Sequence, residues 1–433
     1  MARDRSRLFC YIRSQYAGIL AHYCVSSSAI IIEVSEFRAM SSSIPETTAS
    51  SPLTVLIVGG GLSGLTLAHE LTALNQSTSP NGSYKHLKWH LVESQNYLGG
   101  RIKNTSSRID MGGAWIWPFQ FKMHTLIRDL DLKMIRQEEE DDGRVRIHNG
   151  AACIIDGLAN RLKKEFVTLE ASVTAVEKVG NIVKVTLNHS VDGPATEQRI
   201  IYTKQLIWTA PPRMALSSHI TWTPPLSHSK ISAQQQSNTW MSSVTKVIFG
   251  YSEKHWNVTW LRGMRRGIFE YNRFRGGEVF DLYDSSIISS SSSDDDSNIY
   301  AFTVFALVEW NRYNKNESRV SDDETIARRI FDELLSIQSS TIQSSTRIPE
   351  YTSFTVHHWS QISSISDNPF PNSVGNHPHP NPVLSQPEWK CNEDERYMIY
   401  FAGTESDLHS PGLMEGAVGS AYRVMDELRL NHK

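Results

Sequence analysis

The sequence predicts an α/β fold: a Rossmann-like dinucleotide-binding domain joined to a discontinuous second domain with a mixed β-sheet and flanking helices. Three observations predict it. Thr54–Val58 is a short, wholly apolar, β-rich run that reads as a buried parallel strand. It leads into a glycine turn and then into residues 62–74, where Leu65, Leu67, Ala68, Leu71 and Leu74 supply the apolar face of a helix. Farther on, a strand at Val244–Tyr251 and a helix after Ser321 mark a second region, interrupted by low-complexity inserts.

Residues 1–52 are set apart from this fold. They are rich in Arg and Ser, poor in acids, and hold only a broken apolar run, so they read as a disordered or transit-like extension. Met40 offers an alternative start. An organellar destination follows if the segment is a transit peptide, and the cytoplasm is the default otherwise.

In the turn, Gly59, Gly61 and Gly64 fill a G-x-G-x-x-G pattern. The first glycine allows the tight turn, and the second lets backbone N–H groups approach a pyrophosphate. The third lets the helix, which opens at Leu62 and Ser63, pack close with its N-terminus toward the phosphates. After a polar loop, Leu87–Val92 is a second strand ending at Glu93, where a carboxylate can accept the hydroxyls of a ribose. The usual offset is roughly 20 residues and is longer here because the loop intervenes. Val173–Leu187 is hairpin-prone, Gln205–Thr209 is a short strand before Pro211-Pro212, and Val244–Tyr251 is a strand running on to Trp256. The helix after Ser321 starts with a capping pattern and places Ile326, Ile330 and Leu334 four apart. Ser285–Ser297 and the tandem IQSST at Ile337–Thr346 read as surface loops.

A length of 433 residues allows two to three domains. With 43 basic against 46 acidic residues, the formal charge of -3 gives no electrostatic case for nucleic acid or an anionic membrane. No apolar run reaches the roughly 18 residues of a membrane span. Four scattered cysteines make neither a disulfide framework nor a zinc site, and His377 with His379 lacks partners for a metal.

Leu98-Gly99-Gly100-Arg101 follows Glu93, and Asp110-Met-Gly-Gly-Ala-Trp-Ile116 comes soon after. At the other end stand Tyr400-Phe-Ala-Gly-Thr-Glu405 and Ser410-Pro-Gly-Leu-Met-Glu-Gly-Ala-Val418. With these motifs the chain resembles the flavin-containing amine oxidase family, the monoamine and polyamine oxidases and their relatives. The resemblance implies FAD, with Gly99, Gly100 and Arg101 over its pyrophosphate and Gly113, Ala114 and Trp115 along the isoalloxazine. It implies Val173 at the adenine, Gly403 and Glu405 at the ribitol, and Leu413 and Met414 at a helix N-terminus facing the flavin. Thr245-Lys246-Val-Ile-Phe-Gly-Tyr251 resembles the strand that carries the family's active-site lysine. Lys246 is therefore the expected catalytic residue, holding a water against flavin N5, and its alternation with Val244 and Ile248 places it on an apolar face.

The resemblance implies an oxidoreductase that passes a hydride from a small-molecule amine to flavin N5 and reoxidises with O2 to give H2O2. Trp359, Phe370 and Leu413 are the substrate-site candidates. Leu413 stands where monoamine oxidases carry a cage aromatic, which argues against a simple monoamine. Residues 365–375 lack the cysteine that tethers flavin in mitochondrial enzymes, so FAD is expected to be noncovalent. The resemblance divides the chain into an FAD domain of 53–118, 151–212 and 390–433 and a reduced substrate domain of 119–150 and 213–389. Two alternatives stay open: a renalase-like dihydropyridine oxidase or desaturase, and a non-catalytic flavin-binding scaffold or sensor.

Overall fold

A computed structural model describes residues 44–76, 87–138, 141–190, 196–288, 298–308, 323–341, 347–365 and 377–431. The first unit is β1 (Leu53–Val58), α1 (Leu62–Gln76) and β2 (Trp89–Val92). It is followed by α2 (Phe121–Asp129), a hairpin of β3 (Met134–Arg136) and β4 (Val145–Ile147), and α3 (Ala152–Ala159). Then come β5 (Val167–Thr168), β6 (Ala171–Val179), β7 (Ile182–Ser190), β8 (Thr196–Trp208), β9 (Thr221–Thr223) and α4 (His228–Gln236). The second region holds β10 (Thr245–Tyr251), α5 (Val258–Arg275), β11 (Val279–Asp284), β12 (Tyr300–Ala306), α6 (Asp323–Thr341) and β13 (Ser353–His358). The last described elements are α7 (Pro382–Ser385), β14 (Glu388–Lys390), β15 (Tyr397–Phe401) and α8 (Met414–Asn431).

A nine-stranded sheet runs β5-β2-β1-β8-β7-β6-β9, with β15 and β14 branching from β8. β1 lies parallel to both β2 and β8, so neither of its edges meets water and its sequence need not alternate. Val55 and Ile57 point into a core shared with α1, α2, α3 and α8, whereas Leu56 and Val58 point into the core beneath β6 and β7. Val58 is level with Val92 and Trp208, so three parallel strands finish together beside the glycine turn. Open α/β sheets bind ligands at such a level.

The smaller sheet runs β11-β12-β10-β13 and is antiparallel throughout, not mixed as expected. Its sides divide by the period of two. Val247 and Phe249 pack on α5 and α6, while Val244, Lys246 and Ile248 face residues 109–115. Asn257 caps α5 through Trp260 N, and Gly276 ends it with a left-handed φ of 69°.

Several expected boundaries shift for reasons of packing. In residues 44–52, expected in the extension, Ile44 packs on the core and Thr47 accepts a hydrogen bond from Tyr202 N. In residues 119–150, expected in the substrate domain, Met123, Leu126, Ile127 and Ile147 share the core of β1 and α1. Likewise β9, past the expected break at 212, pairs with β6 in the large sheet. The short strand at 205–209 is the end of β8, 13 residues long, and β10 stops at Tyr251 rather than at Trp256.

The low-complexity inserts are smaller than expected. α6 continues through the first IQSST because Ile337 extends its apolar stripe and is fully buried. Ser285 and Ser286 are buried, and Ile287 bridges Ile299, so the first insert begins inside the sheet region. Residues 289–297 and 342–346, and the candidate Phe370, lie outside the described residues.

Candidate active site

The glycine turn is built as its spacing predicts. Gly59 has φ 110°, and a Cβ there would stand 2.5 Å from Thr209 Oγ1. At Gly64 a Cβ would collide with Gly59 O, so only hydrogen allows α1 to approach β1. Gly61 differs: the nearest atom to its added Cβ is Gly99 O at 3.9 Å, which leaves room on that side. The first turn of α1 carries no acid, so its N-terminal amides present an uncompensated positive end.

Around this turn the separated motifs meet. Gly60 N donates to Glu93 Oε2 at 2.6 Å, and Gln95 N and Ser94 Oγ donate to Oε1. Burial pushes the Glu93 carboxyl above its usual range, opposed by those donors. Gly61 bridges Gly99, and Gly99 N donates to Gly60 O. Arg101 grips Glu405 with two parallel bonds of 2.6 and 3.0 Å. Gly403 N donates to both Ser63 Oγ and Ser420 Oγ, tying α1 to α8. Gly113 is exposed, and a Cβ on it would touch Met414 Sδ at 3.4 Å.

Lys246 sits across from this cradle on β10. Only 3% exposed, it donates from Nζ to Gly112 O at 2.6 Å and to Asp110 O at 3.3 Å. Its Nζ also lies 4.7 Å from the ring centre of Phe305, the residue opposite it on β12. Burial lowers its pKa to about 8, with Arg146 adding to the drop and Asp110 opposing it. Trp359 Nε1 donates to Met111 O at 2.9 Å, so Lys246 and Trp359 grasp the same loop. The Asp110 side chain turns away and caps α3 through Ala151 N, and burial raises its carboxyl.

These contacts link the glycine turn with Glu93 and Gly99, Arg101 with Glu405, and Lys246 and Trp359 with the loop before Gly113. Val173 lies at one remove: Ala171 N, on the same strand, donates to Glu93 O. Leu413 is half-buried, and its carbonyl accepts from Thr404 Oγ1. Gly412 beside it has φ 82°, and a Cβ there would stand 3.0 Å from Pro378 and 3.3 Å from the Trp240 Cβ.

Sequence reasoning missed the hairpin's contribution. Arg144, just before β4, and Arg146, within it, are both buried. Arg144 stacks on Trp115 and Trp117, and Arg146 lies over Tyr283. The alternating Arg-Val-Arg-Ile is a strand signal, but it follows an acidic run that reads as a solvated loop.

The glycine turn of a dinucleotide-binding unit and a buried lysine thus lie about a loop that carries Gly112, Gly113 and the Trp115 indole. The chain belongs to the family described as flavin containing amine oxidoreductase, which matches residues 133–428, while residues 57–130 match an NAD(P)-binding Rossmann-like domain. Over 150 residues it is 29% identical to polyamine oxidase 5 of Oryza sativa subsp. japonica, covering 34% of this chain and 28% of that one. Over 98 residues it is 30% identical to a flavin-containing amine oxidase of Oncorhynchus mykiss, covering 22% of this chain and 17% of that one. Its matches therefore span under a third of either relative's length.

Solved structures share the fold over most of the chain. Putrescine oxidase bound to putrescine superposes with a TM-score of 0.59 at 15% identity, covering 88% of this chain and 99% of that one. Cyclohexylamine oxidase from Brevibacterium oxydans gives 0.58 at 15% identity, covering 87% and 100%. Among the described residues, no helix is long and apolar enough to cross a membrane.

Proposed function

We propose that this chain oxidises a small-molecule amine, with FAD held noncovalently and O2 as the final electron acceptor. When bound, FAD would take a hydride from the carbon beside the amine nitrogen and hand two electrons to O2, leaving an imine and H2O2. The observation that carries this reading is Lys246 Nζ fixed on the Asp110–Gly112 loop, directly before Gly113–Trp115.

The residues support it as follows. Backbone N–H groups at Gly61–Gly64 would receive the pyrophosphate. Glu93, whose two oxygens are held by protein donors, stands at the end of β2 where a ribose hydroxyl would reach it. Glu405, held by Arg101, keeps acceptor capacity toward a ribitol. Lys246 has three donors and gives two to carbonyls, so one remains to hold a water or stabilise a reduced oxygen species. The absence of cysteine from residues 365–375 supports noncovalent flavin.

The test is direct. Protein purified with its flavin should release intact FAD on acid precipitation, and an amine should bleach the flavin anaerobically. Lys246→Met should keep the flavin yet slow its reoxidation by O2 on the order of 10²-fold, the usual loss for one preorganised electrostatic group. Wild-type-like reoxidation in that variant would remove Lys246 from the mechanism.

A further inference from the structure

Trp115 combines a fixed ring with an unspent donor. Its indole is packed by Tyr283 at 5.0 Å and Phe305 at 5.5 Å, and the Arg144 guanidinium lies 4.7 Å over it. The guanidinium is itself locked. Arg144 Nε donates to both Asp142 oxygens at 2.9 Å, and its terminal nitrogen donates to Oδ2 at 2.6 Å. Trp117 Nε1 donates to the same Oδ2 at 2.9 Å, which completes a closed unit of one carboxylate, one guanidinium and two indoles. Trp115 Nε1 is buried and has no hydrogen-bond partner among the described residues.

Buried donors are nearly always paired, because losing water without gaining an acceptor is costly. A flexible side chain would rotate to find one. Trp115 is hemmed in by Arg144, Tyr283 and Phe305 and has no such freedom. It directly follows Gly113 and Ala114, on the loop that Lys246 and Trp359 hold. Resting on the flavoenzyme reading above, we propose that the Trp115 indole N–H is a preset hydrogen-bond donor to an acceptor atom of the bound ligand, and that Asp142–Arg144 is the clamp that positions it. The acceptor is a carbonyl or ring nitrogen, and either the isoalloxazine or the substrate can bring one.

Trp115→Phe keeps an aromatic ring and deletes the N–H. If the acceptor belongs to the flavin, the visible absorption of bound flavin shifts without substrate, and flavin affinity falls on the order of tenfold, as for one lost hydrogen bond. If it belongs to the substrate, the spectrum stays and KM rises by a similar factor with kcat held. Unchanged spectrum, affinity and KM together would overturn the donor role. Arg144→Lys supplies a second arm that leaves Trp115 in place: it retains charge but loses the planar, forked geometry. It should reproduce the Trp115→Phe change in the same observable. A lowered melting temperature with spectrum, affinity and KM all intact would make the clamp merely structural and overturn the positioning claim. Wild-type protein that takes up no flavin would instead sink the underlying flavoenzyme reading.

Discussion

At neutral pH the Lys246 ammonium is held out of water, and the sign of its pKa shift dictates how stability must change. Its value falls from 10.5 in the open chain to about 8 in the fold. Below about 8 both states carry the proton and the folded state bears the full penalty of burial. Between about 8 and 10.5 the unfolded chain binds more protons, so stability rises with pH across that window and levels off above it. Relative to Lys246→Met, the wild type should gain on the order of 3 kcal/mol over the window, measured by urea unfolding. A constant gap between the two proteins would show that the lysine titrates normally. Reoxidation by O2, which draws on the charge, should run the opposite way and slow as pH rises past about 8. Burial of Lys246 was legible because it alternates with Val244 and Ile248. Arg144 was not, since an arginine after an acidic run looks solvent-facing until the chain places an indole against it.

At the scale of an element, the strand–turn–helix unit separates glycines that the packing requires from one with space beside it. Gly64→Ala would drive a methyl group into Gly59 O and should destabilise the protein by about 1–3 kcal/mol, the usual cost of overpacking. Gly61→Ala meets nothing closer than 3.9 Å, so its apoprotein should melt like the wild type while its affinity for FAD drops. Thermal melts with and without added FAD distinguish the two, and equal losses of apoprotein stability would argue against a ligand-facing Gly61. This unit was readable because each step carries its own local rule: apolar strand, glycine spacing, helical periodicity, acid at a strand end. α6 was read less well. Its compositional repeat suggested a loop, but Ile337 stands three residues past Leu334 and buries itself on the same stripe. The wholly antiparallel smaller sheet was also hidden, since strand direction depends on which partners meet and not on any one segment.

For the whole molecule, the Arg101–Glu405 pair joins segments 304 residues apart with Glu405 only 1% exposed. Removing one member strands a buried charge, so Arg101→Met should cost about 3–5 kcal/mol. Glu405→Gln keeps the shape, and the double variant should be far milder than the sum of the two singles. Denaturant melts of the four proteins measure the coupling, and strict additivity would mean that the pair does not hold the ends together. Both end motifs were recognisable in the sequence, but their meeting was implied only by resemblance. The partition into domains was the least legible feature, because residues 119–150 join whichever core their apolar faces fit once the sheet exists.

The hydroxyls of Ser63 and Ser420, 357 residues apart, both accept from Gly403 N, so a single amide pins the opening of α1 to α8. The glycine turn, local as its sequence spacing is, is walled in only once a distant helix has folded against it. Loosening α8 alone would therefore open that wall while leaving β1, the turn and α1 formed.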